Sequence, residues 1–273
     1  MARPETEQDP GPPPDCSDAS VMFAWCMRSG VQARPQYLWP VLQGARIAKA
    51  LGLDRVSALE FGVAGGNGLL ALEAAATAAD SLTGLAIDVV GFDSGRGMPV
   101  PVDHRDVPWV IRPGWFAMDD PALRARLRRA AMAIGPVAEA VPAWLQSALS
   151  PVAFASFDLD YYSSTMEAFA LLDAPAERLL PGIPCYFDDI MGYGWSDFNG
   201  ERAAIADFNS GHRERKIGRI HGLEFEVPES EAGMAWPHKI FLTHVIDHPL
   251  YNTPEGEPSV AWFDALRLQS EPR

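Results

Sequence analysis

Two short apolar runs, each ending in a pair of carboxylates, constrain this chain more than anything else in it. The first is VAFASF, residues 152–157, followed by DLD with Asp158 and Asp160. The second is IPCYF, residues 183–187, followed by Asp188 and Asp189. Apolar runs of this length and composition read as buried strands. Between them lies a helical pattern of about 20 residues, stopped by Pro181 and Gly182. A strand–helix–strand unit within one sheet makes its strands parallel. Both carboxylate pairs then fall at the C-terminal edge of one sheet, where open α/β sheets bind ligands.

Acids gathered at one point repel one another unless a cation lies among them. An all-oxygen set favours a hard ion, Mg²⁺ before Ca²⁺ or Mn²⁺. The candidate metal ligands are therefore Asp158, Asp160, Asp188 and Asp189. The competing account has these acids capping helix N-termini, where carboxylates are common. A single DxD leaves the two accounts balanced, whereas two pairs on closely linked strands favour the ion.

A second constrained stretch lies upstream. RVSALEF, residues 55–61, reads as the first strand, and the Gly-rich turn EFGVAGGNG leads into an Ala/Leu-rich helix. This is the nucleotide-binding opening of a doubly wound sheet. Gly62, Gly65, Gly66 and Gly68 permit a tight turn and close approach of a ligand, to which the helix presents its N-terminal amides. The second strand, IDVVGFD, ends in Asp93, placed to accept hydrogen bonds from ribose hydroxyls. The dinucleotide fingerprint GxGxxG fails in register, because its second and third glycine positions, counted from Gly62, fall on Ala64 and Asn67. An acid leading into GxxGG fits S-adenosylmethionine (SAM) better, with Glu60 facing the cofactor ammonium or orienting the loop.

The remaining chain supplies the frame. Residues 1–18 are rich in Pro and acids and read as a disordered tail, dispensable for folding, ahead of one domain over 19–273. Helical patterns follow at Met22, Phe23 and Cys26, then over RPQYLWPVLQGARIAKALGL with Gly52 as its C-cap. These helices are free to cover a sheet edge, a substrate pocket or a second copy in a homo-oligomer. Residues 95–118 are long and aperiodic, the pattern of a lid or substrate loop. A helix then starts at Pro121 behind Asp119 or Asp120, AAMAIG is a third strand, and AEAVPAWLQSAL is the next helix. After Asp189, GERAAIADFNSGH is a helix, and IGRIHGLEFEV and HKIFLTHVI are the last strands, paired as an antiparallel hairpin. HPLYNTPEGEPSVAWFDALR ends the chain as a loop and short helix.

Composition bounds the partners. A 273-residue chain, 48% hydrophobic, suits one α/β domain with a well-buried core. A net charge of −14 argues against a nucleic-acid or anionic-membrane partner. No segment has the length and apolarity to span a membrane. The N-terminus lacks the basic start and apolar stretch of a signal peptide, and Cys16, Cys26 and Cys185 form no CxxC. Reduced thiols in a cytoplasmic protein are the expectation.

Four pieces, EFGVAGGNG, GFDSGRGMP, SFDLDYYSSTMEAF and YFDDIMG, carry a family likeness. Over residues 58 to 195 the chain resembles class I SAM-dependent O-methyltransferases, specifically the metal-dependent macrocin O-methyltransferase (TylF-like) family. The resemblance implies a Rossmann-like, doubly wound, seven-stranded α/β sheet with N-terminal helices and a lid-like insertion. It implies SAM at Glu60, Gly62, Gly65, Gly66, Asp93 and Ser94, and Mg²⁺ or Mn²⁺ on Asp158 or Asp160 together with Asp188 and Asp189. The acceptor it implies is a small hydroxylated molecule, a sugar or glycosylated natural product. Two departures stand out: IGPV, with Pro136, where relatives more often have Gly-Asp, and the length of 95–118. For the base that removes the hydroxyl proton, Asp160 comes first, His104 second and Tyr161 third. The rivals are an O-methyltransferase for catechol, polyketide or lipid hydroxyls, a nicotinamide-dependent oxidoreductase, and a non-catalytic interaction module.

Overall fold

The computed structural model describes residues 11–31 and 33–252. Seven strands form one sheet: β1 (Arg55–Phe61), β2 (Ala86–Asp93), β3 (Ala131–Ile134), β4 (Val152–Phe157), β5 (Gly182–Phe187), β6 (Arg215–Arg219) and β7 (Ile240–Val245). Their order across the sheet is β3-β2-β1-β4-β5-β7-β6. The first five run parallel, and β7 pairs antiparallel with both β5 and β6. This is the seven-stranded doubly wound α/β sheet that the sequence predicts.

β4 is buried at all six positions because β1 and β5 flank it and helices cover both faces, so its sequence does not alternate. Register is carried by four fully buried phenylalanines, one on each central strand. Phe61 stacks on Phe92 at 4.7 Å and on Phe157 at 5.2 Å, and Phe157 stacks on Phe187 at 4.8 Å. Each of Phe92, Phe157 and Phe187 immediately precedes an acid. The ladder therefore brings Asp93, Asp158 and Asp188 to one level at the C-terminal edge, above an apolar floor.

Helix α2 (Pro35–Ala50) lies on the sheet face, not on its edge, and α1 (Ala19–Arg28) packs against α2. A Cβ on Gly44 of α2 would sit 3.1 Å from the Ala153 carbonyl carbon, so the helix closes directly onto β4. Tyr37 of α2 packs against Phe154 and Tyr186 of β4 and β5. Asp18 caps α1 by accepting from the Ser20 and Val21 amides. Upstream, the Trp25 indole donates to the Gly11 carbonyl at 3.2 Å and the Cys16 thiol to the Leu82 carbonyl at 3.0 Å, so the stretch read as tail touches the body from Gly11 onward.

The remaining helices are α3 (Asn67–Thr83), α4 (Asp120–Arg124), α5 (Val137–Ser147), α6 (Tyr162–Ala168), α7 (Gly200–Gly211) and α8 (Glu229–Ala232). Two expectations change. The long helix expected between β4 and β5 is only α6 and two 3₁₀ turns, because Pro175 fixes its own φ and bars Ala174 from helical backbone. The strand expected over 217–227 stops at Arg219, and Gly222 at φ +82° turns the chain into a 3₁₀ turn, Leu223–Phe225. The final short helix lies outside the described residues.

Candidate active site

The Gly-rich turn joins β1 to α3 at the edge beside β4. Gly62 has φ +85°, and a Cβ there would overlap the Asp158 carbonyl oxygen. Only glycine lets the end of β1 approach the end of β4 this closely. Gly66, at φ +80°, lies under the Leu123 side chain of α4, and Gly68 lies against Glu60 and the Tyr37 hydroxyl. Gly65 differs: its φ is ordinary and nothing lies within 4 Å of its Cβ position, so the turn leaves open space there.

Glu60 is 1% exposed. The Tyr37 hydroxyl donates to its Oε1 at 2.7 Å, while Oε2 is buried without a partner among the described residues. Burial pushes its carboxyl up to about 8. Glu60 thus orients the loop through Tyr37 and Gly68 and keeps one free acceptor atom. Asp93 Oδ2 accepts from the Val63 and Ala64 amides at 2.9 Å each, and Oδ1 accepts from the Gly95 amide at 2.7 Å. It fixes the glycine turn; Oδ2 is filled by its two amides, and Oδ1 retains a lone pair for a further donor. Ser94 accepts from the Arg96 amide and donates to the Gly97 carbonyl, a local turn role.

Asp158, Asp188 and Asp189 form the acid group. One carboxylate oxygen from each lies within 4.8 Å of the other two. Burial and then the charges of Asp188 and Asp189 hold the Asp158 carboxyl well above the usual carboxylate range. Burial and then Asp160 and Asp188 raise Asp189 likewise. Three converging oxygens are a donor set that a hard ion matches, and such an ion would relieve their mutual repulsion.

Asp160 does not join that group of three. The strand has ended, and Asp160 adopts φ +57° with the Tyr161 amide bonded back to the Leu159 carbonyl. The tight turn carries the second acid of DLD off the line of the first. Its backbone amide donates to Asp189 Oδ2 at 3.2 Å, and burial followed by the charge of Asp188 raises its carboxyl.

Residues 95–118 wall the site. Met98 pairs with Gly114 and Trp115 through backbone bonds, and Val107, Ile111 and Tyr161 form a small separate core with Trp195 against it. Asp106, fully buried, accepts from the Ser163 amide and hydroxyl at 2.8 Å each and from the Val102 amide at 2.7 Å. It caps α6 from outside and fastens the segment to the turn bearing Asp158 and Asp160. His104 is exposed, on the 3₁₀ turn His104–Asp106. Tyr161 is buried, its hydroxyl 3.4 Å from the Ile111 carbonyl. Trp109, Trp115, Phe116, Tyr193 and Phe198 are all exposed on this segment and on 191–199.

Four site residues, Glu201, Lys239, Tyr186 and Asp106, escape sequence reasoning. Glu201 of α7 accepts from the Leu159 and Asp189 amides. Lys239 donates to the Asp188 carbonyl at 2.6 Å and to Oδ1 at 3.0 Å, and the Tyr186 hydroxyl donates to that same Oδ1. Lys239 is one of only three lysines in the chain, a scarcity that does not by itself point to a site. Asp106 and Glu201 carry no signal, being ordinary acids in a loop and on a helix.

No protein-family model matches the chain, and no curated protein matches it. Among solved structures the chain is similar to CalS11, a calicheamicin methyltransferase, at 26% identity and TM-score 0.47, over 62% of this chain and 70% of that one. It is similar to the O-methyltransferase NovP at 16% identity and TM-score 0.49, over 65% and 72%. MycE, a methyltransferase of the mycinamycin biosynthetic pathway solved with Mg and SAH (S-adenosylhomocysteine), aligns at 15% identity and TM-score 0.39, over 90% and 57%.

Proposed function

We propose that this chain is a SAM-dependent, divalent-metal-dependent O-methyltransferase acting on a hydroxyl of a sugar or glycosylated natural product. The observation that carries the reading is the convergence of Asp158, Asp188 and Asp189 one strand from a glycine turn with open space at Gly65. When bound, SAM supplies the methyl group by in-line displacement at its sulfonium carbon, and the ion supplies Lewis acidity to the acceptor oxygen.

The chain's own residues then have distinct tasks. Gly65 admits the cofactor, Asp93 accepts from its ribose, and Glu60 holds the loop beneath it through Tyr37 and Gly68. Asp158, Asp188 and Asp189 hold Mg²⁺ or Mn²⁺. Asp160, beside that group with a raised carboxyl pKa, takes the hydroxyl proton as general base, an effect typically worth about 10²–10⁴-fold. The fastened segment 95–118 excludes water and aligns the acceptor with the methyl carbon. The exposed aromatics on the two neighbouring loops suit the apolar face of a sugar or of a catechol or polyketide equally.

Methyl transfer to a panel of sugars, glycosides and catechols, with Mg²⁺ and with EDTA, tests the reading. Turnover that EDTA abolishes and Mg²⁺ restores supports it. Full turnover in EDTA removes the metal. Stabilisation by NAD(H) and not by SAH in a thermal-shift assay removes the methyltransferase, and binding of neither metal nor SAH leaves the interaction module.

A further inference from the structure

We propose that Glu201 positions the three-acid group, and so sets the affinity of this chain for its metal; the proposal rests on the metal reading above. Glu201 is the second residue of α7 and is fully buried. Its Oε1 accepts from the Leu159 amide at 3.3 Å and its Oε2 from the Asp189 amide at 2.9 Å. Leu159 directly follows Asp158, so one carboxylate clamps the two loops that carry all three acids.

The platform beneath Glu201 is itself fixed. Gly200, at φ +53°, runs so close to the Asp160 carbonyl and the Trp195 ring that a Cβ would sit 3.1 Å from each. Asn199 accepts from the Ser196 amide and donates to the Gly194 carbonyl, bracing the loop that enters α7. A carboxylate buried beside three other acids has a desolvation and repulsion cost that an apolar residue would avoid. Its two oxygens instead fix the spacing between Asp158 and Asp189, and that spacing decides whether three oxygens converge on one ion. Groups behind metal ligands typically contribute 10–100-fold to metal affinity.

Glu73 supplies the control. It too is a buried acid accepting from backbone amides, those of Arg128, Arg129 and Ala130, but it braces the entry to β3 at the far end of the sheet. The experiment measures Mn²⁺ affinity by calorimetry, the electron paramagnetic resonance of bound Mn²⁺, SAH affinity and melting temperature. It uses the full chain and the variants Glu201→Gln, Glu201→Asp and Glu73→Gln. In Glu201→Gln an amide NH₂ faces a backbone N–H. Expected is an Mn²⁺ affinity lower by about 10–100-fold with a changed resonance and SAH affinity within about twofold. Glu201→Asp, which keeps an acceptor pair on a shorter arm, recovers part of the loss. Glu73→Gln lowers the melting temperature and leaves Mn²⁺ binding unchanged.

A folded Glu201→Gln with wild-type Mn²⁺ affinity overturns the proposal. So does an equal loss of Mn²⁺ and SAH in the Glu201 and Glu73 variants, which marks general destabilisation. If Glu201→Gln does not fold, Glu201→Asp decides, and unchanged Mn²⁺ affinity there has the same consequence. A wild-type chain that takes up no Mn²⁺ overturns the metal reading and this proposal with it, whereas a wild type that binds and a Glu201 variant that binds equally overturn this proposal alone.

Discussion

Two glycines three residues apart give opposite outcomes on substitution by alanine. At Gly62 the backbone is at φ +85°, which costs a side-chain-bearing residue about 1–2 kcal/mol. The new methyl would also overlap the Asp158 carbonyl, with the carbonyl carbon at 2.8 Å. Backbone cannot rotate away as a side chain can, so β1 and β4 must separate, at about 1–3 kcal/mol for overpacking. The sum, about 2–5 kcal/mol, lowers the melting temperature by roughly 4–20 °C for a domain of this size.

At Gly65 the backbone is ordinary and the methyl meets nothing within 4 Å, so Gly65→Ala changes stability by less than about 0.5 kcal/mol. It fills the space assigned to the cofactor, and SAH affinity falls by about 5–150-fold, the equivalent of about 1–3 kcal/mol. Calorimetric melting and SAH titration of the two variants decide the matter. A Gly62→Ala protein that melts with wild type refutes the close approach of β1 to β4. A Gly65→Ala protein that binds SAH with wild-type affinity refutes the cofactor placement.

The other expected outcomes are shorter to state. Asp93→Ala orphans the Val63, Ala64 and Gly95 amides, so it both lowers the melting temperature and weakens SAH binding by about 1.5–3 kcal/mol; unchanged SAH affinity removes Asp93 from the site. Asp160→Asn keeps Mn²⁺ and SAH affinity but lowers turnover by about 10²–10⁴-fold, and the residual rate lacks the acidic limb of the pH–rate profile, whereas loss of Mn²⁺ binding would make Asp160 a ligand. Glu60 has its carboxyl raised from 4.5 to about 8, so its contribution to stability is complete below pH 4.5 and lost as pH rises towards 8. The metal-free protein therefore melts lower at pH 8 than at pH 5.5, and Glu60→Gln flattens that slope; a slope unchanged in the variant clears Glu60.

Much of the sheet is legible because its signal is local. VAFASF and IPCYF carry strand length, burial and their acids in one run, and RVSALEF is followed at once by the glycines that end it. The recurrence of Phe before Asp93, Asp158 and Asp188 also encodes the register that levels those acids, although it becomes meaningful only once the strand order is known. Glu201 and Lys239 are illegible for the opposite reason. Lys239 reaches Asp188 because β7 inserts antiparallel beside β5, and Glu201 reaches Leu159 and Asp189 because α7 starts against the Asp160 turn. Neither proximity has a periodic trace along the chain. The over-long helix after Asp160 has a plain cause, since a helical apolar pattern persists past Ala168 while Pro175 forbids its continuation.

The DLD stretch places the two acids of one sequence motif in two different backbone settings. On an extended strand, residues two apart share a face, and both acids would crowd the same ion. β4 ends at Phe157, and Asp160 takes a left-handed backbone that costs most residues about 1–2 kcal/mol but that Asp and Asn tolerate through local hydrogen bonds. The turn is held from three sides: Asp106 on Ser163, Gly200 against the Asp160 carbonyl, and Asp189 accepting from the Asp160 amide. Strain that persists under such constraint is characteristic of sites where position matters. Its effect here is to leave Asp158 with the acid group and to set Asp160 beside it, close enough to feel the charge of Asp188 and outside the three-oxygen convergence. An acid so placed is free to accept a proton from a hydroxyl oriented by its neighbours. Asparagine fits the same backbone, so Asp160→Asn removes the charge without releasing the turn, and turnover in that variant tests the proposed base apart from the fold.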